Sequence, residues 1–150
     1  FLEIHKGLNK YIKEVIDIPG YSLLPETMGV REALGMDKSS IDGLAPTFRS
    51  GFTGPRNSTS ILNGASSQKV LQKMGLWGNG IAPSMDAAYG FPPENGTERL
   101  CTSDIALIQG FPTYWKIYGP VYKVLGQLGN SVAPPVAYQI AMSVRNALVK

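Results

Sequence analysis

Between Leu2 and Ile16 the apolar residues Ile4, Leu8, Tyr11, Ile12 and Val15 recur at helical spacing, with Lys6, Lys10 and Lys13 mostly on the other side. This pattern predicts an amphipathic helix ended by Pro19-Gly20. A short helical turn is expected over Val30 to Leu34. From Gly43 the chain is rich in Gly, Ser, Thr and Asn, and Ala45 to Phe52 and Asn57 to Leu62 read as short strands around a Gly54-Pro55 turn. Ser66 to Met74 reads as a brief helix, capped by Ser66 or Ser67 and stopped by Gly75. Trp77 to Gly96 is punctuated by Gly78, Gly80, Pro83, Gly90, Pro92, Pro93 and Gly96, which predicts irregular loop. Thr102 or Ser103 can cap a helix over Asp104 to Gln109, with Asp104 in the dipole-favoured first turn and Gly110-Phe111-Pro112 as its end. A last helix is expected from Pro134-Pro135 to Leu148, with Val136, Ile140 and Val144 as its buried stripe.

Composition narrows the class. The 150 residues make one domain, or one lobe with an appendage, and leave no room for two full enzymatic domains. Hydrophobic residues are 43% and charged residues 17%, so the chain can bury a core and is not a disordered tail. Its 17 glycines and 11 prolines predict much loop. One cysteine and one histidine exclude a disulfide framework and a multi-cysteine zinc site, and suit a reducing cytoplasm. The uncharged run from Val124 to Val144 is broken by Gln127, Asn130, Ser131 and Pro134-Pro135, so it does not predict a membrane span. No signal peptide is visible, and a start at Phe1 is expected of a piece of a longer chain.

The net charge of +3 is unevenly spread. Residues 43 to 85 carry four basic groups and no acid, and residues 105 to 150 do the same. In the first block Arg49, Arg56, Lys69 and Lys73 lie among Thr47, Ser50, Thr53, Asn57, Ser58, Thr59 and Ser60. This is the mixture that phosphate contacts use, although a solvated polar loop has the same composition. Trp77, Trp115 and the tyrosines read as core, and His5 as a surface or satisfied histidine. Asn57 and Asn95 begin glycosylation sequons that need no explanation in a cytosolic chain.

Two strings near the C-terminus carry more. Arg99-Leu100-Cys101-Thr102-Ser103-Asp104-Ile105-Ala106-Leu107-Ile108-Gln109-Gly110-Phe111-Pro112 resembles motif IX of the DNA cytosine-5 methyltransferases, RxLTPRExARLQGFP. Tyr122 to Val132, ending Gln127-Leu128-Gly129-Asn130-Ser131-Val132 and continued by Pro134-Pro135-Val136-Ala137, is similar to their motif X, YxQIGNSVPPPVA. Upstream, Thr27-Met28-Gly29-Val30-Arg31-Glu32-Ala33-Leu34 is similar to the TVRDAI segment that follows motif VIII. Departures exist: Thr102-Ser103-Asp104 stand where the pattern has Pro-Arg-Glu, and Leu107 stands for its later arginine.

The resemblance implies an α+β piece: a small, loop-rich, β-containing target recognition lobe flanked by helices of the catalytic-domain scaffold. Residues 1–39 would be a helical connector, 40–98 the recognition domain, and 99–150 the motif IX and X helices. Ala45-Pro46-Thr47-Phe48-Arg49-Ser50 is similar to the strand that opens the lobe's DNA-facing part, which gives Thr47 a phosphate contact. Arg49, Arg56, Lys69 and Lys73 would join it on double-stranded DNA. Asn130 and Ser131 would lie near the pocket for the methyl donor S-adenosylmethionine.

The chain has no FxGxG loop, no Pro-Cys nucleophile, no ENV motif and no QxRxR. In the family a cysteine thiolate attacks C6 of a flipped cytosine and the methyl group passes to C5. Cys101, in Leu-Cys-Thr, is expected to be a small buried residue at a helix entrance, so the chain carries no catalytic residue and no metal site. The expectation is a bacterial, cytoplasmic partner of a catalytic part, in the same enzyme or in a separate large subunit. A non-catalytic DNA-binding or interaction module derived from such an enzyme has the same sequence features.

Overall fold

A computed structural model describes residues 28–37, 41–49, 60, 62 and 64–149. The predicted helix of residues 2–16, residues 50–52 of the first predicted strand, most of the second, His5, Arg56 and Asn57 lie outside them. The chain divides into two compact units, Thr27–Pro134 and a second that pairs residues 1–26 with 135–150. Among the described residues no helix is long and apolar enough to cross a membrane.

In the first unit the order is α1 (Val30–Ala33), α2 (Ala65–Lys73), β1 (Leu76–Ala82), α3 (Met85–Gly90), β2 (Glu98–Cys101), α4 (Thr102–Ile108) and α5 (Val121–Asn130). α6 (Pro134–Leu148) follows and makes up most of the described part of the second unit. β1 and β2 pair in parallel, with Leu76 opposite Glu98 and Trp77 opposite Arg99, and the register is irregular before Ala82 meets Cys101. Helices and this small sheet fit the α+β expectation.

β1 lies almost wholly where the sequence predicts loop, in Trp77 to Gly96. The misleading signal is Gly78, which looks like a turn residue but serves close packing. A Cβ built there would come within 2.6 Å of Leu71 Cδ1 and 2.8 Å of Leu62 Cδ1. α3 is the other element in that stretch, and Ser84 caps it by accepting a hydrogen bond from the Ala87 N–H at 3.3 Å. In the opposite direction, Ala45 to Arg49, predicted as strand, is neither strand nor helix.

One core joins α1, α2, both strands, α4 and α5. Leu71, Leu76, Ile81, Leu100, Ile105, Leu125 and Leu128 are fully buried, and Val30, Phe48, Leu62, Met74 and Val124 join them. Each large apolar side chain withdrawn from water in this way contributes about 1.5–3 kcal/mol. Leu100 and Ile105 come from the motif IX string, and Val124, Leu125 and Leu128 from the motif X string.

Arg31 links α1 to this core while itself only 8% exposed. Its Nη1 donates to the Met74 carbonyl at 2.8 Å and its Nε to the Asp37 carbonyl at 3.1 Å. Asp42 caps the same helix from outside, its carboxylate accepting from the N–H groups of Arg31 (2.9 Å), Glu32 (3.1 Å) and Gly43 (2.8 Å). Partial burial raises the Asp42 pKa. The three backbone donors and the Arg31 charge together outweigh it, so the pKa falls below its ordinary 3.8. A lowered folded value means that the stabilisation is present above pH 3.8 and is lost as the pH falls through the lowered value. Thermal unfolding across this range is expected to show that loss, and Asp42→Asn is expected to flatten it.

Helix starts are displaced from prediction. α2 begins at Ala65 behind Gly64, so Ser66 and Ser67 sit inside the first turn and cannot cap it. α4 begins at Thr102 because the Asp104 carboxylate accepts the Cys101 N–H at 2.7 Å, making Cys101 the cap in place of Thr102 or Ser103. Thr102 Oγ1 instead donates to the Pro83 carbonyl at 3.0 Å. α4 ends as predicted. The Phe111 N–H bonds the Ala106 carbonyl (2.9 Å) and the Gly110 N–H the Leu107 carbonyl (2.8 Å), with Gly110 at φ +80°. This Schellman arrangement needs a left-handed residue, which is why glycine opens the Gly-Phe-Pro end.

α6 has the predicted limits, but Val136, Ile140 and Val144 are 52%, 57% and 53% exposed, so they are not a buried stripe. Placing Trp115 and four of the described tyrosines in the core also fails. Trp115 is 57% exposed, and Tyr89, Tyr114, Tyr118 and Tyr138 are more so. Trp115 follows α4 in an irregular stretch, its ring tilted against that of Phe111 with 6.0 Å between centroids.

Candidate nucleic-acid interface

The predicted DNA contacts separate into three groups. Arg49 and Lys69 line one cleft of about 460 Å³, together with Ser60, Gly64, Gln68 and Asn79. Thr47 is exposed two residues before Arg49, and Lys73 is exposed on the last turn of α2, both outside the cleft lining. Arg56 lies outside the described residues.

The cleft is built by α2 and β1. Lys69 faces out while its neighbour Gln68 turns in and is 7% exposed. Gln68 Oε1 accepts the Gly78 N–H at 3.3 Å, which ties the helix to the strand and fixes the amide with Nε2 as the remaining donor. Nε2 is buried and has no hydrogen-bond partner among the described residues. Such a donor costs about 1–3 kcal/mol. Asn79 accepts from Ser60 Oγ at 2.8 Å on the opposite wall. Arg49 and Lys69 are the charged residues among those lining the cleft, so its field is positive. Gln68 was missed from sequence, because a glutamine on a short polar helix carries no pattern that marks it as buried.

A second cleft, about 590 Å³, is lined by Trp77, Phe91, Glu94, Asn95 and Arg99 among others. It contains none of the predicted contacts. Arg99, the first residue of the motif IX string, donates from Nε to the Gly80 carbonyl at 2.6 Å and so holds β1 at its irregular position.

Asn130 and Ser131 close α5. Ser131 is its C-cap, with Oγ donating to the Leu128 carbonyl at 2.7 Å, and the Asn130 side chain is exposed. Gln109 Nε2, from the motif IX string, donates to that same carbonyl at 3.2 Å and so joins the two motifs beside Asn130. Neither cleft includes Asn130 or Ser131. Asn130 thus presents an exposed carboxamide, and Ser131 a hydroxyl held at the end of the helix.

Cys101 is fully buried. Burial pushes its thiol pKa up, further from the thiolate that a nucleophile needs, and Sγ lies 2.9 Å from Ser103 Oγ. Among the described residues no group of His, Cys, Asp and Glu is arranged to hold a metal ion.

The model of the C-5 cytosine-specific DNA methylase family matches residues 14–146. The chain belongs to that family. It is 38% identical over 55 residues to the type II methyltransferase M.NgoMIV of Neisseria gonorrhoeae, covering 37% of this chain and 18% of that protein. Against the type II methyltransferase M.HaeII of Haemophilus aegyptius it is 37% identical over 67 residues, 45% of this chain and 21% of the relative. These matches therefore span about a fifth of each relative's length. No solved structure matches the chain.

Proposed function

We propose that this chain is the DNA-recognition and motif IX–X part of a type II DNA cytosine-5 methyltransferase, acting with a catalytic part that carries the Pro-Cys and FxGxG motifs. The observation that carries the reading is the acid-free cleft lined by Arg49 and Lys69, built on the same core as the motif IX and X residues. In this reading residues 40–98 form the recognition lobe, 1–39 the connector and 99–150 the scaffold helices. Thr47, Arg49, Arg56, Lys69 and Lys73 hold DNA phosphates or reach base edges, and that positive surface sets the duplex against the catalytic part. S-adenosylmethionine supplies the methyl group when bound. Asn130 and Ser131 contribute an edge of its pocket, positioned by the Gln109 bond to the Leu128 carbonyl. Cys101, buried and thiol-bearing, stays out of the chemistry, so this chain alone transfers no methyl group.

The test is duplex binding by fluorescence anisotropy over a series of salt concentrations. Arg49→Ala is expected to weaken binding several-fold and to reduce the slope of log K against log salt by about 1. Arg49 is exposed, so its loss leaves the fold intact. An unchanged affinity and slope would remove Arg49 from the interface.

A further inference from the structure

The Arg49–Lys69 cleft has a chemistry more specific than positive charge. α2 is nine residues long, its cap Gly64 supplies no side-chain acceptor, and its first turn holds no acid. The N–H groups that open a helix have no acceptor within it, and the helix dipole makes that end positive. Gly64 and Ala65, at this end, line the cleft beside Arg49 and Lys69. Independently of the helix end, Gln68 contributes a buried Nε2 donor without a partner among the described residues, its orientation fixed because Oε1 is engaged by Gly78.

We propose that this cleft seats one phosphate of the DNA backbone, held by the first turn of α2 and the Gln68 amide, with Arg49 and Lys69 neutralising its charge. The proposal rests on the reading of the chain as a DNA-binding part. A phosphate suits the site because the helix end and the Gln68 amide offer donors, Arg49 and Lys69 offer positive charge, and a phosphodiester presents two non-bridging oxygens that share one negative charge. Inorganic phosphate has the same chemistry, so the source must be separated by experiment. Gln68 then acts as a register pin: phosphate contacts position a protein on the duplex without reading its sequence.

The test is a titration of the 15N-labelled full chain, following the side-chain amide resonance of Gln68, assigned through its own backbone. Duplex DNA is expected to shift that resonance, and a duplex with neutral methylphosphonate linkages is expected not to. Gln68→Glu keeps the acceptor for Gly78 but removes the donor and adds a negative charge, and is expected to weaken DNA binding roughly tenfold. Because that variant places a carboxylate in a buried position, Lys69→Gln gives a second reading on an exposed residue: the salt slope should fall by about 1. DNA binding that moves other resonances and leaves Gln68 in place would overturn the phosphate seat while leaving the proposed function intact. A shift with inorganic phosphate but not with DNA would also overturn it. If no resonance responds to DNA, both the seat and the proposed function fall.

Discussion

Arg31→Met is expected to lower the stability of the chain by about 2–4 kcal/mol, since hydrogen bonds from a charged donor contribute about 1.5–3 kcal/mol and orphaned carbonyls add their own cost. The guanidinium reaches two backbone carbonyls, Met74 at 2.8 Å and Asp37 at 3.1 Å, from a position almost closed to water. Methionine fills much of the same space, yet leaves the Met74 carbonyl unpaired at the end of α2. The Arg31 of the Val-Arg-Glu-Ala string is thus a strut between α1 and the helix that builds the cleft. Urea unfolding checks this: the midpoint should fall with the m-value unchanged. A midpoint within error of the parent chain would show that Arg31 bears none of this load.

Gly78→Val is expected to be similarly damaging and to weaken DNA binding as well. Even the first carbon of a side chain at Gly78 meets the Leu71 and Leu62 methyls at 2.6 and 2.8 Å. Flexible leucine ends can yield to one methyl group but not to a branched pair, and overpacking of this kind costs about 1–3 kcal/mol. Displacing β1 from α2 also strains the Gly78–Gln68 hydrogen bond that sets the cleft wall. Gly78→Ala is the graded comparison, with a smaller loss. Thermal unfolding and duplex binding measured on the same preparations would separate the two effects. A Gly78→Val chain of undiminished stability would contradict the packing described for β1.

These two positions also show what can be read from the chain itself. Elements with sharp punctuation were legible: α4 with its Gly-Phe-Pro end, α6 from Pro134 to Leu148, and the stop of α2 at Gly75. β1 and α3 were hidden because their glycines and prolines mark turns in most chains, whereas Gly78 is required by the packing of Leu71 and Leu62 against it. α5 was hidden inside a motif, its two internal glycines masking the apolar face of Val124, Leu125 and Leu128. Of the candidate interface, Arg49 and Lys69 were visible as charges in an acid-free block. That they share a cleft, and that Gln68 lies buried within it, depends on how α2 folds onto β1.

The family assignment gives Arg99, Gln109 and Ser131 physical meaning within the motifs. Arg99 holds the irregular position of β1, Gln109 ties motif IX to motif X, and Ser131 caps the turn beside Asn130. None of them supplies a nucleophile, and Cys101 is buried with its thiol pKa raised. The division of labour proposed between this chain and a catalytic part is tested by methyl transfer from labelled S-adenosylmethionine to duplex DNA. Purified residues 1–150 should give no turnover, the catalytic part alone little or none, and the two together sustained transfer to C5 of cytosine. Turnover by residues 1–150 alone, or no turnover by the combined parts, would rule out that division.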